Sequence, residues 1–262
     1  MPSFAITRDG VRVAYEVSGV GPPLLLIHGL GDERTLWQPL VERFAPHFRC
    51  VSLDLRGHGQ TTGALDFDPF GLQRDLDAVI SDAGLSRPIL IGHSLGGFAA
   101  TTYAATHAAK VRAVVNVDQP LALDALASAV TEHHEALHAG EVERVLMAVL
   151  DLLGLGPLAQ GLVQRLEQTR AALHKDVVLG VWGPMLVGDL QTTLARMDAL
   201  LGRIVAPYLC LLGRDIDPAY ASWLAARLPN ATLESWSGLG HFLHLVEPDR
   251  FVERVRQFVG NV

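Results

Sequence analysis

The run Pro88-Ile89-Leu90-Ile91 leads directly into Gly92-His93-Ser94-Leu95-Gly96, and a helix-forming stretch from Gly97 to Ala105 follows. A G-x-S-x-G pentapeptide that joins a strand to a helix is the setting of a nucleophile elbow. So sharp a turn holds the serine in a strained backbone conformation and projects its hydroxyl outward. A side chain two residues before or after the serine would strike the neighbouring chain, and glycines at 92 and 96 remove that collision. A glycine-rich loop with an incidental serine is the plainer reading, but it leaves the strand and helix on either side unexplained. Chemistry at Ser94 is therefore expected.

A serine hydroxyl needs a base to take its proton and a carboxylate to orient that base. His241 follows a strand-like run (Ala231 to Trp236) and a loop, Ser237-Gly238-Leu239-Gly240, and is the candidate base. His244, set among Phe242, Leu243, Leu245 and Val246, reads as a packed, hydrogen-bonded core histidine. Three aspartates sit just past strand ends. Asp215 and Asp217 share the loop after Pro207 to Leu212, and Asp118 ends the run Val111 to Val117. Asp217 is preferred as the acid, with Asp215 and Asp118 as alternatives. Those not used would be turn or capping residues. An oxyanion also needs backbone donors. The Leu95 amide, just after the nucleophile, is one. The Leu30 amide, in His28-Gly29-Leu30-Gly31 after the run Pro23 to Ile27, is the other.

These landmarks together resemble the α/β-hydrolase family over nearly the whole chain. His28-Gly29-Leu30-Gly31 is similar to its oxyanion loop, and Asp54-Leu55-Arg56-Gly57-His58-Gly59 to its D-x-R-G-x-G turn. Gly92-His93-Ser94-Leu95-Gly96-Gly97 resembles the lipase and esterase elbow, and Gly240-His241 the family's G-H base motif. The departure is at the acid. Where the family commonly places an aspartate three residues after the strand-ending glycine, this chain has Ile216.

Strand-like runs near 23–27, 49–54, 88–93, 111–117, 207–212 and 231–236 alternate with helical patterns. That alternation predicts an α/β fold, a mostly parallel twisted sheet with helices on both faces. An Asp9-Gly10 turn joins two opening strands, Phe4 to Thr7 and Val11 to Val17. From Gln119 to Asp189 the alternation stops, and helical patterns run without a strand. The expected organisation is a core of residues 1–118 and 190–262, with a helical cap of 119–189 inserted after the sixth core strand. The apolar stretch Val177 to Val187 reads as cap core or pocket lining, and then as a dimer contact, so a homodimer stays open.

With 49% hydrophobic and 19% charged residues among 262, the chain fits one folded domain rather than a disordered segment. A net charge of -7 and the lack of a basic run speak against nucleic acid. The apolar runs are too broken for a membrane span, and the N-terminal residues lack a signal pattern, so a cytoplasmic protein is expected. Cys50 and Cys210 lie on strands that are not neighbours in the family's order, which predicts reduced, buried thiols. His134-Glu135-Ala136-Leu137-His138 matches H-E-x-x-H, but Glu141 and Glu143 follow too closely to complete a zinc site. A structural helix is the expected reading, with no metal and no cofactor.

The expected activity is cleavage of a carboxylic ester or lactone of a small to medium apolar substrate through an acyl-enzyme. Carbon-carbon bond hydrolysis, or lyase chemistry with the same triad, is the alternative. A non-catalytic ligand receptor is a third reading, though a pure binding protein has no need of a strained elbow.

Overall fold

The computed structural model describes residues 1–64, 66–186 and 190–260. Its strands are β1 (Ser3–Ile6), β2 (Arg12–Ser18), β3 (Pro23–Ile27), β4 (Arg49–Leu53), β5 (Ile89–His93), β6 (Ala113–Val117), β7 (Tyr208–Leu212) and β8 (Ala231–Ser235). They form an 8-stranded sheet in the order β1-β2-β4-β3-β5-β6-β7-β8. The β1–β2 and β2–β4 pairs are antiparallel, and all later pairs are parallel. The opening hairpin turns at Gly10, whose φ of 83° lies where glycine carries no steric penalty.

The central strands are apolar on both faces because helices cover both. Successive residues of β5 show how one run feeds two cores. Leu90 packs with Phe98 and Tyr103, whereas Ile89 and Ile91 pack with Phe44 and Phe251 on the other face. On that second face lie α1 (Gln38–Phe44) and the C-terminal helix, and on the first lie α2 (Gln73–Asp82) and α3 (Leu95–Thr106).

Between β6 and β7 the chain is helical among the described residues, as the loss of alternation predicts. It forms α4 (Asp124–Glu132), α5 (His134–His138), α6 (Val142–Leu153), α7 (Gln160–Ala171), α8 (Lys175–Leu186) and α9 (Leu190–Leu201). Helix α4 packs on α6 and α8, while α9 packs on α3 of the sheet layer. Val187 and Asp189, at the expected edge of the cap, lie outside the described residues. After β7 come α10 (Pro218–Arg227), α11 (Leu243–Val246) and α12 (Pro248–Gly260). No single described helix is long and apolar enough to cross a membrane.

Cys50 on β4 and Cys210 on β7 are both free and buried, with β3, β5 and β6 between their strands. Burial pushes each thiol up to about 12. The His134 and His138 rings meet one turn apart on α5, and no group of three metal-ligating side chains occurs among the described residues.

Candidate active site

Every residue singled out for chemistry lies at the carboxyl edge of the parallel strands, where ligands of such sheets bind. Ser94, between β5 and α3, has φ 51° and ψ -122°, a strained conformation for a residue with a β-carbon. The elbow is compact enough to require its glycines. A β-carbon on Gly92 would come to 2.2 Å from the Gly96 carbonyl oxygen, and one on Gly96 to 2.1 Å from that of Ile27. The Ser94 amide is tied to the Val117 carbonyl at 2.9 Å, which fixes the turn to the neighbouring strand. Leu95 opens α3, so its N–H has no intrahelical acceptor, and the residue borders the space beside Ser94.

The oxyanion loop is held by two histidines used as spacers. His28 accepts the Leu55 amide at Nε2 (3.0 Å) and donates from Nδ1 to the Gly29 carbonyl (2.7 Å). His58, from the D-x-R-G-x-G turn, accepts the Gly31 amide at 3.0 Å and donates to the Arg56 carbonyl. Burial, with His28 close by, pushes the His58 imidazole down to about 3, so it stays neutral and able to accept. The rest of that turn is anchored by buried ion pairs, Asp54 with Arg34 and Arg56 with Asp75 at 2.7 Å. Between these clamps the Leu30 amide has no acceptor among the described residues and borders the same space as Leu95.

His241 Nδ1 lies 2.7 Å from Asp118 Oδ2, and both side chains are almost fully buried. This corrects the preference for Asp217. Asp118 takes φ 51°, which turns its carboxylate off β6 and across the end of β7. There its other oxygen, Oδ1, accepts the Gly213 amide at 2.8 Å. Burial raises the Asp118 carboxyl, but the His241 hydrogen bond, the His241 and Arg214 charges and the Gly213 amide outweigh it and hold it below the usual range. Asp217 is spent elsewhere. It is exposed, and its carboxylate caps α10 by accepting the Ala219 amide at 2.8 Å. Asp215 is exposed on the same loop and does not reach the imidazole.

The loop that carries His241 is pressed between two backbones. A β-carbon on Gly213 would fall 1.9 Å from the Gly240 carbonyl oxygen, and one on Gly240 would fall 2.3 Å from the Gly156 nitrogen. The His241 amide donates to Gly154 at the end of α6 (2.6 Å), and its carbonyl accepts from His93 Nε2 (3.0 Å). Burial, and then His93 close by, lower the His241 imidazole below its ordinary value, against the opposing pull of Asp118.

Ser94, His241, Asp118, Leu30 and Leu95 all border one cavity of about 690 Å³. It runs up among α4, α6, α7 and α8, and its wall there is mainly apolar, including Leu146, Val149, Leu150 and Trp182.

The alpha/beta hydrolase fold model matches residues 22–180. The chain belongs to the α/β hydrolase fold family. The pimeloyl-[acyl-carrier protein] methyl ester esterase of Xanthomonas campestris pv. campestris is 31% identical over 268 residues, 94% of this chain and 98% of that protein. A Rhodococcus esterase of known structure is 25% identical, with a TM-score of 0.77, and the match covers 99% of this chain and 98% of that one. An Exiguobacterium antarcticum esterase superposes with a TM-score of 0.81 over 99% of this chain and 100% of that one, at 18% identity, a likeness of fold alone.

Some residues of this hydrolase's site have no signal in a motif scan. His93 reads as the variable position of G-x-S-x-G, yet its ring ties the elbow to the base loop. His244 is buried as expected, but neither ring nitrogen has a partner, so the expected hydrogen bonds are absent. It is held instead by tilted ring contacts with Trp37 and His93, at ring separations of 5.0 and 4.7 Å. Burial, and then the neighbouring His93 and His241, push it well below its ordinary value and keep it neutral.

Proposed function

We propose that this hydrolase cleaves carboxylic esters or lactones with an apolar acyl or alcohol part, using Ser94, His241 and Asp118 as its triad. The observation that carries this reading is the 2.7 Å His241–Asp118 contact, made in the cavity that also holds the strained Ser94 and two unpaired amides. His241 Nε2 takes the Ser94 proton as Oγ bonds to the ester carbon. The carbonyl π pair moves to oxygen, and the Leu30 and Leu95 amides stabilise that charge. Collapse breaks the bond to the alkoxy oxygen, which leaves with the proton from His241. Water then repeats the sequence on the acyl-enzyme, and the acid departs as Ser94 recovers its proton. Asp118 keeps the proton on Nδ1, so that Nε2 presents its lone pair to the serine.

The low basicity of His241 suits this role, because the imidazole remains neutral below the pH at which an ordinary histidine would charge. Residues 119–189 serve as the cap and residues 1–118 and 190–262 as the core in this reading. The cap supplies the apolar wall and excludes water from the acyl-enzyme.

The test is active-site labelling with an alkyl fluorophosphonate, together with turnover of p-nitrophenyl esters. Stoichiometric labelling that vanishes in Ser94→Ala is expected, along with loss of at least about 10³-fold in kcat/KM. Turnover retained in Ser94→Ala would rule the serine mechanism out.

A further inference from the structure

Asp32 and Arg170 face each other across the wall of the cavity, and neither is fully satisfied, although Asp32 Oδ2 faces His93 Nδ1 at 3.6 Å. Asp32 follows the oxyanion loop, Arg170 lies near the end of α7, and each side chain is only 2% exposed. Arg170 Nη2 stands 3.9 Å from Asp32 Oδ1, beyond hydrogen-bond range. Asp32 Oδ1 and Arg170 Nε have no hydrogen-bond partner, and Arg170 Nη1 has only the Met147 sulfur at 4.0 Å. Buried charges left in this way are costly unless something completes them.

We infer that this gap is a subsite for a hydroxyl group on the acyl part of the substrate. One oxygen about 2.8 Å from each atom spans the gap, donating its proton to Asp32 Oδ1 and accepting from Arg170 Nη2. A ketone or ether oxygen has no proton for the carboxylate. A carboxylate ligand would face Asp32 as a like charge, and an ammonium would face Arg170. A hydroxyl answers both Asp32 Oδ1 and Arg170 Nη2 and leaves the charges of the pair cancelled.

The position is close to the nucleophile. The point where a β-carbon on Gly29 would sit is 3.0 Å from Asp32 Oδ2 and 3.2 Å from the Ser94 β-carbon. The hydroxyl therefore belongs on a carbon within a few bonds of the scissile carbonyl, with the remaining chain against the apolar wall. A site built to pair a hydroxyl discriminates strongly against the analogue that lacks it, because its own polar groups are then buried unpaired.

The assignment rests on the esterase reading, so it is tested by turnover and by binding. For turnover, the ratio of kcat/KM for p-nitrophenyl 3-hydroxybutanoate to that for p-nitrophenyl butanoate is expected to exceed about tenfold. In Arg170→Met and Asp32→Asn that ratio falls toward one, and in Arg170→Lys it is partly kept. For binding, quenching of cavity tryptophans in Ser94→Ala is expected to show methyl 3-hydroxyoctanoate held at least about tenfold tighter than methyl octanoate. The binding arm needs no hydrolysis, so an inactive enzyme that keeps this preference would refute the esterase reading and leave the subsite standing. With Asp32 and Arg170 unaltered, equal kcat/KM in the turnover pair or equal affinity in the binding pair would mean that only water fills the gap, and would overturn the proposal. A ratio that persists in folded Arg170→Met would overturn it too.

Discussion

Asp118 follows Val117 at the end of β6 and turns at once, at φ 51°, whereas the chain leaving β7 runs through Gly213, Arg214, Asp215 and Ile216 before it reaches Asp217. Both strand exits offer a carboxylate at the same edge of the sheet. Asp118 meets an imidazole proton and the Gly213 amide, while Asp217 meets the free Ala219 amide in the first turn of α10. The role of each aspartate follows from which donors the local backbone leaves unsatisfied nearby. A helix beginning at Pro218 supplies its own demand for a cap, and that demand takes Asp217 away from the histidine.

The comparison breaks most visibly at Asp118. Asp118→Asn is expected to lower kcat by about 10³- to 10⁴-fold with the fold retained, measured by steady-state turnover alongside circular dichroism. An effect of that size at Asp217 instead would reverse the assignment. Gly213→Ala forces a β-carbon onto the Gly240 carbonyl, and a loss of about 2–3 kcal/mol in a urea melt is expected.

The pH profile sharpens the picture further. His241 must be neutral to accept a proton, and its basicity is lowered by burial and His93, so kcat/KM is expected to fall on the acid side with a midpoint below 6.5. Because Asp118 raises His241, the midpoint in Asp118→Asn should move lower still. The smallest effect belongs to Asp217→Ala. It should cost about 1 kcal/mol of stability through the lost cap and change kcat/KM by less than about threefold.

Much of this was legible in the chain because the relevant constraints are local. The glycines at 92 and 96 are dictated by contacts within a few residues of the elbow or on the next strand, and the alternation of Leu90 with Ile89 and Ile91 announces a strand covered on both faces. Strand ends moved by only a residue or two, as with β6, which begins at Ala113 rather than Val111. The acid was ambiguous for a different reason. Choosing among Asp118, Asp215 and Asp217 requires knowing which way a backbone turns after its strand, and a positive φ at an aspartate leaves no periodic trace. Nor does spacing show that His58 accepts the Gly31 amide or that Arg170 approaches Asp32, since each joins segments far apart in the chain.

The amide of His241 is bonded to the carbonyl of Gly154, at the tail of α6. The roof of the chamber is thus stitched to the strip of backbone that holds the imidazole in register. A change that draws the end of α6 away would carry the His241 amide with it, so the place of the imidazole depends on that seam.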